Sequence, residues 1–425
     1  MSKKVKVGTL QRRFNVKPMK TEGIVSYDDD NAYPQRVLYT IAASGVGVSC
    51  VNLYAKYIQG QGFVDTNFYK AIVNRFGLTN DELLRQCSLD YARFKGFAIH
   101  VKYNALLQVN ELSWIPFWWC RKSIPDADNY SPQVVVYDDW DRARLRTISK
   151  DKTTTLPLFN PDPEIVAKQI ETAGGYDKFK GQVFYYSANG NEYPVAPCDA
   201  VLMDLETDSQ IQTYNWTSVK TGFINQTIMT VLGEFKDDQE KAEYVKGILD
   251  WQGAENSNSI IILEAKTKED VPDIKPLTTN INDKLFAFTK ESIMQSIIQS
   301  YGQPKILLSI ETSGSLSDAS KINESKEYYD EYTSDERVLF ESLWLKLFAT
   351  WHEPVTTNFS IKPLTNYRQK TLVKSVGLDG VKSITELLLS ALTPQQKINA
   401  LILSFGVSSE NANALVNGTP LNTEN

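Results

Sequence analysis

Histidine is nearly absent from this 425-residue chain: His100 and His352 are the only two. Most histidine-based catalysis and histidine-rich metal sites therefore lack candidates. Cysteine is scarce as well. Cys50, Cys87, Cys120 and Cys198 are widely spaced and form no CxxC pair, so neither a zinc site nor a disulfide scaffold has spacing support. Each reads as a small buried hydrophobe. No apolar run is longer than a few residues, Ile260–Leu263 being typical. A spanning helix needs roughly 20, so no membrane partner is expected. Met1 to Lys20 holds no apolar core, so no secretory signal is expected and the cell interior is the default compartment. An excess of basic charge is also missing. Lys and Arg number 45 against 51 Asp and Glu, giving a net charge of -6. A tight, static nucleic-acid binder would usually be basic. No GxxxxGK(S/T), GxGxxG, HExxH or GxSxG motif occurs, which removes the usual signals of a P-loop, a dinucleotide fold, a metalloprotease and an α/β-hydrolase. No catalytic residue, metal or cofactor is expected.

What is present is ordinary globular material, 42% hydrophobic and 23% charged, enough for about two or three domains. The first 20 residues carry Lys3, Lys4, Lys6, Arg12, Arg13, Lys17 and Lys20 and no acid. They read as a solvated arm, or one that orders on an acidic neighbour or nucleic acid. Asp28, Asp29 and Asp30 precede a helical stretch at Gln35–Leu53. Three adjacent carboxylates invite a metal reading, but the glycine and glutamate of an EF-hand loop are missing, and a helix N-terminal cluster fits better. Helices around a Gly60-Gln61-Gly62 turn precede strands at Ala98–Tyr103, Val134–Tyr137 and Val183–Tyr186, with Leu156–Pro163 as a proline-rich connection. Trp114, Phe117, Trp118 and Trp119 read as core or subunit interface. Residues 25–200 therefore form an α+β unit.

Beyond it, Asp204–Phe223 reads as a helix, Ile228–Leu232 as a strand, Asp237–Trp251 as a helix stopped by Gly253, and Ile260–Glu264 as a strand. Thr289–Tyr301 is an amphipathic helix with Thr289 as its N-cap and Gly302 and Pro304 as its end. Leu308 to Asp318 is rich in serine around Gly314, the pattern of a mobile loop. Asp318–Glu353 has no Gly or Pro and predicts one helix of about 30 residues. Its first half is polar, as expected of a helix standing in water or in an assembly. A strand is expected at Thr357–Lys362. Small helices at Ile384–Leu392, Pro394–Phe405 and Glu410–Val416 close the chain.

Several short stretches, in this order, resemble those of bacteriophage portal proteins, particularly the short portals of the HK97-like group and of Bacteroidetes phages. Asp30-Asn31-Ala32-Tyr33-Pro34 resembles an N-terminal Asn-x-Tyr-Pro. Tyr137-Asp138-Asp139-Trp140 resembles an aromatic strand end. Glu192-Tyr193-Pro194-Val195-Ala196-Pro197 resembles the turn into the stem, and Gly253, Asn256, Asn258 and Ile260–Glu264 a stretch of the clip. Gln303-Pro304-Lys305-Ile306-Leu307-Leu308 resembles the segment before the tunnel loop, with Ser309 in place of a glycine. Gly314-Ser315-Leu316-Ser317-Asp318-Ala319 resembles the loop's end.

The resemblance implies a portal fold. A basic arm would span 1–24, the wing 25–196, and the stem 197–222 and 284–303, with a clip at 223–283. The tunnel loop would be 304–317, the tunnel helix 318–351, a wing return strand 352–364 and a helical crown 365–425. It implies a dodecameric ring at a capsid vertex of the virion, assembled in the host cytoplasm and enzymatically inert. Double-stranded DNA would pass through without sequence specificity. The major capsid protein, the terminase large subunit and a head–tail adaptor would be its partners. The channel residues would be Lys305, Glu311, Thr312, Ser313, Gly314, Ser315, Ser317, Asp318 and Lys321. Another ring-forming head–tail connector is the near alternative, and a metal-dependent nuclease or hydrolase using Asp28–Asp30 the distant one.

Overall fold

In the computed structural model, Tyr33–Ala43 (α1) and Gly45–Gln59 (α2) meet at 108°. The structure describes residues 14–140, 152–188, 192–220, 227–232, 260–265, 283–308, 319–365, 382–405 and 409–417, with a few isolated positions between them. The bend corrects the single helix expected at Gln35–Leu53. Ser44 causes it: its backbone is extended, its hydroxyl oxygen accepts from the Gly47 N–H at 3.1 Å, and its O–H donates to Asp208 Oδ2 at 2.7 Å. The Ser44-Gly45 pair thus ends one helix and caps the next.

Thr66–Lys70 (α3) and Asn80–Phe94 (α4) follow. A reciprocal Thr79–Glu82 capping box starts α4. Gly96–Tyr103 (β3), Val109–Ile115 (β4) and Gln182–Ser187 (β8) form an antiparallel sheet in the order β4-β3-β8. Cys120–Lys122 (β5), Gln133–Val136 (β6) and Thr154–Pro157 (β7) form a second one. The expected strands at Ala98, Val134 and Val183 are all present. Leu156–Pro163 is more than a connection: its start lies in β7 and its end opens a helix, Pro163–Ala173 (α5). Asp162 caps α5, Pro163 fits its first turn, and Gly174 closes it with φ +87°.

Residues 14–24 are not a free arm. Pro18–Met19 (β1) pairs with Ile24–Val25 (β2), Phe14 packs edge-on against Tyr27 and Tyr33, and Lys17 pairs with Asp29 at 2.7 Å. The remainder of the basic stretch lies outside the described residues.

Leu202–Lys220 (α6) and Asp283–Ser300 (α7) pack on each other and on α1 and α2. Helix α7 starts before Thr289, so Thr289 lies inside the helix and is not its cap. Its amphipathic character is present: Ile293 and Ile297, with Tyr301 just beyond its end, are buried. Between α6 and α7, Thr227–Leu232 (β9) and Ile260–Ala265 (β10) pair in parallel. Most of the helix expected at Asp237–Trp251 lies outside the described residues.

The long helix expected from Asp318 is broken at Thr333 into Ala319–Tyr332 (α8) and Ser334–Phe348 (α9). Thr333 Oγ1 donates back to the carbonyls of Tyr329 (3.0 Å) and Asp330 (3.2 Å), and the Arg337 guanidinium takes the Asp330 carbonyl as well. These donors compete for the carbonyls of the last turn of α8, although the Thr333 N–H still bonds the Tyr329 carbonyl at 3.1 Å. Residues 352–364 do not form the expected strand, and Phe359 takes left-handed backbone at φ +58°. One bridge joins Ile361 to Phe63, and Lys362 exchanges backbone bonds with Gln61 and Gly62. The approach is so close that a Cβ on Gly60 (φ +56°) would stand 2.2 Å from the Lys362 carbonyl oxygen.

One hydrophobic core runs from Val25 to Ile361, so α7, α8 and α9 share it with the α+β unit. A second, small cluster holds the C-terminal helices: 382–389 (α10), Pro394–Phe405 (α11) and Ser409–Asn417 (α12), packed around Ile384, Ile398 and Leu401.

Candidate channel segment and the motif hub

Three of the motif stretches, at 30–34, 137–140 and 192–197, meet in space around one arginine. Arg121, on the short strand β5, is fully buried. Its Nε donates to Asn31 Oδ1 at 2.6 Å, one Nη to the Asn31 carbonyl at 2.7 Å and to Gln35 Oε1, and the other Nη to the Trp118 and Cys120 carbonyls. The guanidinium lies over the rings of Tyr27 and Trp140. Tyr27 stacks on Tyr193, and its O–H donates to the Pro194 carbonyl at 2.6 Å. Tyr33 O–H donates to Asp199 Oδ1 at 2.9 Å and accepts from the Ala196 N–H. Trp140 Nε1 donates to the Trp119 carbonyl. Burial lowers the Arg121 pKa and raises that of Tyr27. Residues 27–35, 118–121, 137–140 and 193–199 thus form one knot at the root of α6. Arg121 was not singled out from the sequence; a lone arginine after Trp118-Trp119-Cys120 was the available signal.

The three neighbouring carboxylates are committed to cations. Asp28 and Asp30 grip Arg36 at 2.6 Å each, and Asp29 holds Lys17. Asp28 and Asn31 take left-handed backbone, φ +70° and +58°, which turns the chain into α1. No group of three or more His, Cys, Asp or Glu side chains among the described residues could hold a metal ion. No single helix among the described residues is long and apolar enough to cross a membrane.

The end of α7 returns to the start of α6, where Tyr301 stands beside Cys198. Gly302 (φ +61°) ends the helix and lies under the Tyr332 ring. Gln303 then turns inward: its amide donates to the Cys50 carbonyl at 2.7 Å and to Tyr329 Oη at 3.1 Å. This pins the segment that follows, a 3-10 turn at Lys305–Leu308. Of the expected channel residues, Lys305 in that turn and Lys321 in α8 line one groove of about 660 Å³, with Glu324 and Tyr328 on the α8 side. The two lysines that flank the loop are therefore brought together at its root, beside Glu324, which was not among the expected channel residues. Glu311, Thr312, Ser313, Gly314, Ser315, Ser317 and Asp318 lie outside the described residues.

No protein-family profile matches the chain, and no curated protein does. Solved structures with a similar chain include the virion of a native gene transfer agent (GTA) particle, at TM-score 0.45 and 13% identity over 88% of this chain and 93% of that one. The neck of an empty GTA particle computed with C6 symmetry gives TM-score 0.45 and 13% identity over 88% and 94%. The neck of a native GTA particle computed with C12 symmetry gives 0.47 and 14% over 89% and 94%. A likeness at this level assigns no function.

The helix pair presents apolar groups to solvent. Met203 is 82% exposed and Trp216 63% on α6, and Phe288 is 71% exposed on α7.

Proposed function

We propose that this chain is a portal protein: copies of it form a twelve-fold ring at one vertex of a phage-type capsid, and DNA enters and leaves through the lumen. The α6–α7 hairpin carries this reading. It leaves the body at the Tyr27–Arg121–Tyr193 knot, bears Trp216 and Phe288 outward, and returns beside Cys198. In sequence it holds the β9–β10 insert at its far end and delivers the chain to Gln303 and the loop beyond. That order is the one the motif resemblance implies, and the exposed aromatic groups suit contact between neighbouring copies.

In this reading the ring performs no chemistry of its own; a terminase motor supplies the energy of packaging. The insert docks terminase and a head–tail adaptor in turn, and the body sits in the capsid. The net charge of -6 suits a conduit. Phosphate–lysine contacts bind tightly and salt-dependently, whereas an acidic wall repels phosphate over about 8–10 Å at physiological salt and keeps the duplex centred. The segment 309–318, which lies outside the described residues, is in this reading the tunnel loop that meets the duplex. Its serines and Thr312 offer weak, replaceable hydrogen bonds, Glu311 and Asp318 hold the attraction down, and Lys305 and Lys321 touch the backbone in passing.

Light scattering on the eluting full chain, with negative-stain images, tests the reading. Closed rings with a central hole are expected. Trp216→Asp with Phe288→Asp is expected to leave folded protein that no longer closes rings. A wild-type chain that stays monomeric at high concentration overturns the proposal.

A further inference from the structure

A second concave site lies on the β4-β3-β8 sheet, away from the helix pair. Its volume is about 500 Å³. Its floor is an ion triad. Lys102 on β3 stands directly across from Glu111 on β4 in the strand register and reaches Glu111 Oε2 at 3.3 Å. Arg75 reaches Glu111 Oε1 at 2.6 Å through Nε. Glu111 is 7% exposed, so it is a buried anchor for two cations whose own side chains stay open to solvent, Arg75 at 64% and Lys102 at 36%. Burial pushes the Glu111 pKa up, but the hydrogen bonds and charges of Arg75 and Lys102 together outweigh that and leave it lowered. Lys180, Tyr176 and Phe179 form the opposite wall. Gly181 (φ +95°) lets that wall close on the strand, because a Cβ there would stand 2.3 Å from the Val101 carbonyl oxygen. His100 Nε2 donates to the Lys180 carbonyl at 2.7 Å, and burial lowers its pKa.

The charge count then decides what fits. Three cations, Arg75, Lys102 and Lys180, face one carboxylate. The site is net positive in a chain that is net negative. Arg75 spends Nε on Glu111, which leaves the two-nitrogen edge of a guanidinium, the geometry that grips an oxyanion with paired bonds. The rings of Tyr176 and Phe179 supply an apolar wall beside it. The volume admits a group the size of one or two residues and is too small for a duplex.

We propose that this pocket binds a single oxyanion carried on an apolar stem, the shared chemistry of an acidic peptide end and an aryl phosphate. The oxyanion sits between Arg75 and Lys180, and the stem lies against Tyr176 and Phe179. This proposal is independent of the ring reading.

Lysine footprinting on the full chain tests it, using an acetylating reagent with mass-spectrometric readout and phenylacetate and phenyl phosphate as separate probes. Lys20 and Lys70, both exposed and outside the pocket, are the internal references. Expected is a saturable loss of labelling at Lys102 and Lys180 with no change at Lys20 and Lys70. Arg75→Gln is expected to raise the concentration for half-protection about tenfold, the loss of a paired charged contact. Lys180→Ala, on an exposed side chain, is expected to weaken protection of Lys102 even if the Arg75 variant folds poorly. The stronger of the two probes identifies carboxylate or phosphate as the source. Unchanged labelling at Lys102 with both probes, or a parallel loss at Lys20 and Lys70, overturns the proposal.

Discussion

The Arg121 guanidinium donates to both the side-chain and the backbone oxygen of Asn31, at 2.6 and 2.7 Å, and neither residue is more than 5% exposed. This double contact explains why an asparagine stands just before Tyr33-Pro34. Asn31 must accept left-handed backbone, and asparagine tolerates that conformation better than most residues. It must also present an acceptor to a buried charge.

Arg121→Lys therefore removes more than its volume suggests. A lysine cannot keep the fan of contacts to Asn31, Gln35 and the Trp118 and Cys120 carbonyls, and it loses the planar stacking on Tyr27 and Trp140. The expected cost is about 3 kcal/mol or more, the scale for breaking a buried charged network. Asn31→Ala should cost a comparable amount. Denaturant unfolding at one fixed protein concentration measures both. A loss within experimental error of zero would show that the knot is not holding the root of α6.

Much of the α+β unit was legible because its signals are local. Alternating or continuous β-branched and aromatic runs at Ala98, Val134 and Val183 read as strands; in the separate C-terminal cluster, Pro394 with Phe405-Gly406 bracketed a helix just as locally. Helix α5 was legible in principle, since Asp162-Pro163 opens it and Gly174 closes it, but the prolines drew attention to a loop. The break at Thr333 could not be read locally. It depends on Arg337 reaching back to Asp330 and across to the Tyr57 carbonyl. The same holds for the site. Lys305 and Lys321 were legible as flanks of a loop, whereas their shared groove with Glu324 is made by the 3-10 turn packing on α8. The Arg121 knot joins residues up to 168 apart in sequence, as in the Tyr193–Val25 bond, and no periodicity reports such a contact.

The Asp330–Arg337 pair, 2.7 Å apart with side chains 0% and 5% exposed, gives a second test. Asp330 Oδ2 also accepts the backbone N–H and the hydroxyl of Thr365, both at 2.6 Å. One carboxylate thus ties the broken helix to the chain leading toward the C-terminal helices. Arg337→Met leaves Asp330 buried and unpaired, with an expected cost of about 3–5 kcal/mol. Arg337→Met combined with Asp330→Asn is expected to recover part of it. A double variant no more stable than Arg337→Met alone would mean that the cost comes from packing and not from the stranded charge.

Asp90 sets a pH dependence whose sign is opposite to that of most carboxylates. It is fully buried and accepts from Trp114 Nε1 at 2.8 Å and the Phe117 N–H at 3.1 Å. Burial pushes its pKa up to about 7 from 3.8, opposed by those two bonds and by Arg93. A raised folded pKa means that its contribution is complete below about pH 4 and is lost as pH rises through 7. Asp90→Asn cannot ionise. The stability of Asp90→Asn relative to wild type should therefore rise between pH 5 and pH 8, by on the order of 3 kcal/mol if most of the shift is realised. Unfolding curves for both proteins across that range give the difference directly, and other titrating groups cancel. A difference that stays flat with pH would show that Asp90 ionises normally inside the fold.

The last prediction concerns the segment between Leu308 and Ala319. Its upstream end is pinned: Gln303 is bonded to the Cys50 carbonyl and Tyr329, and Gly302 lies under Tyr332. Its downstream end enters α8, whose second half is anchored by Tyr329 and Asp330 in the core. Neither anchor uses a residue between Thr312 and Ser317. Deleting Thr312–Ser317 should therefore leave the body and the α6–α7 pair folded, and rings should still close. What should fail is work done in the lumen. If the segment narrows the channel and meets the duplex, shortening it removes those contacts, and packaged DNA should leak or packaging should stall. Lys305→Ala with Lys321→Ala is the milder form of the same test. It removes the two flanking cations without shortening the loop, so any loss of DNA retention should be largest at low salt and fade as salt screens the remaining contacts. Particle assembly with DNA quantification, alongside images of the purified variant, separates the outcomes. If the deletion instead yields soluble monomers, the segment is an element of the subunit interface and its assignment to the channel is wrong.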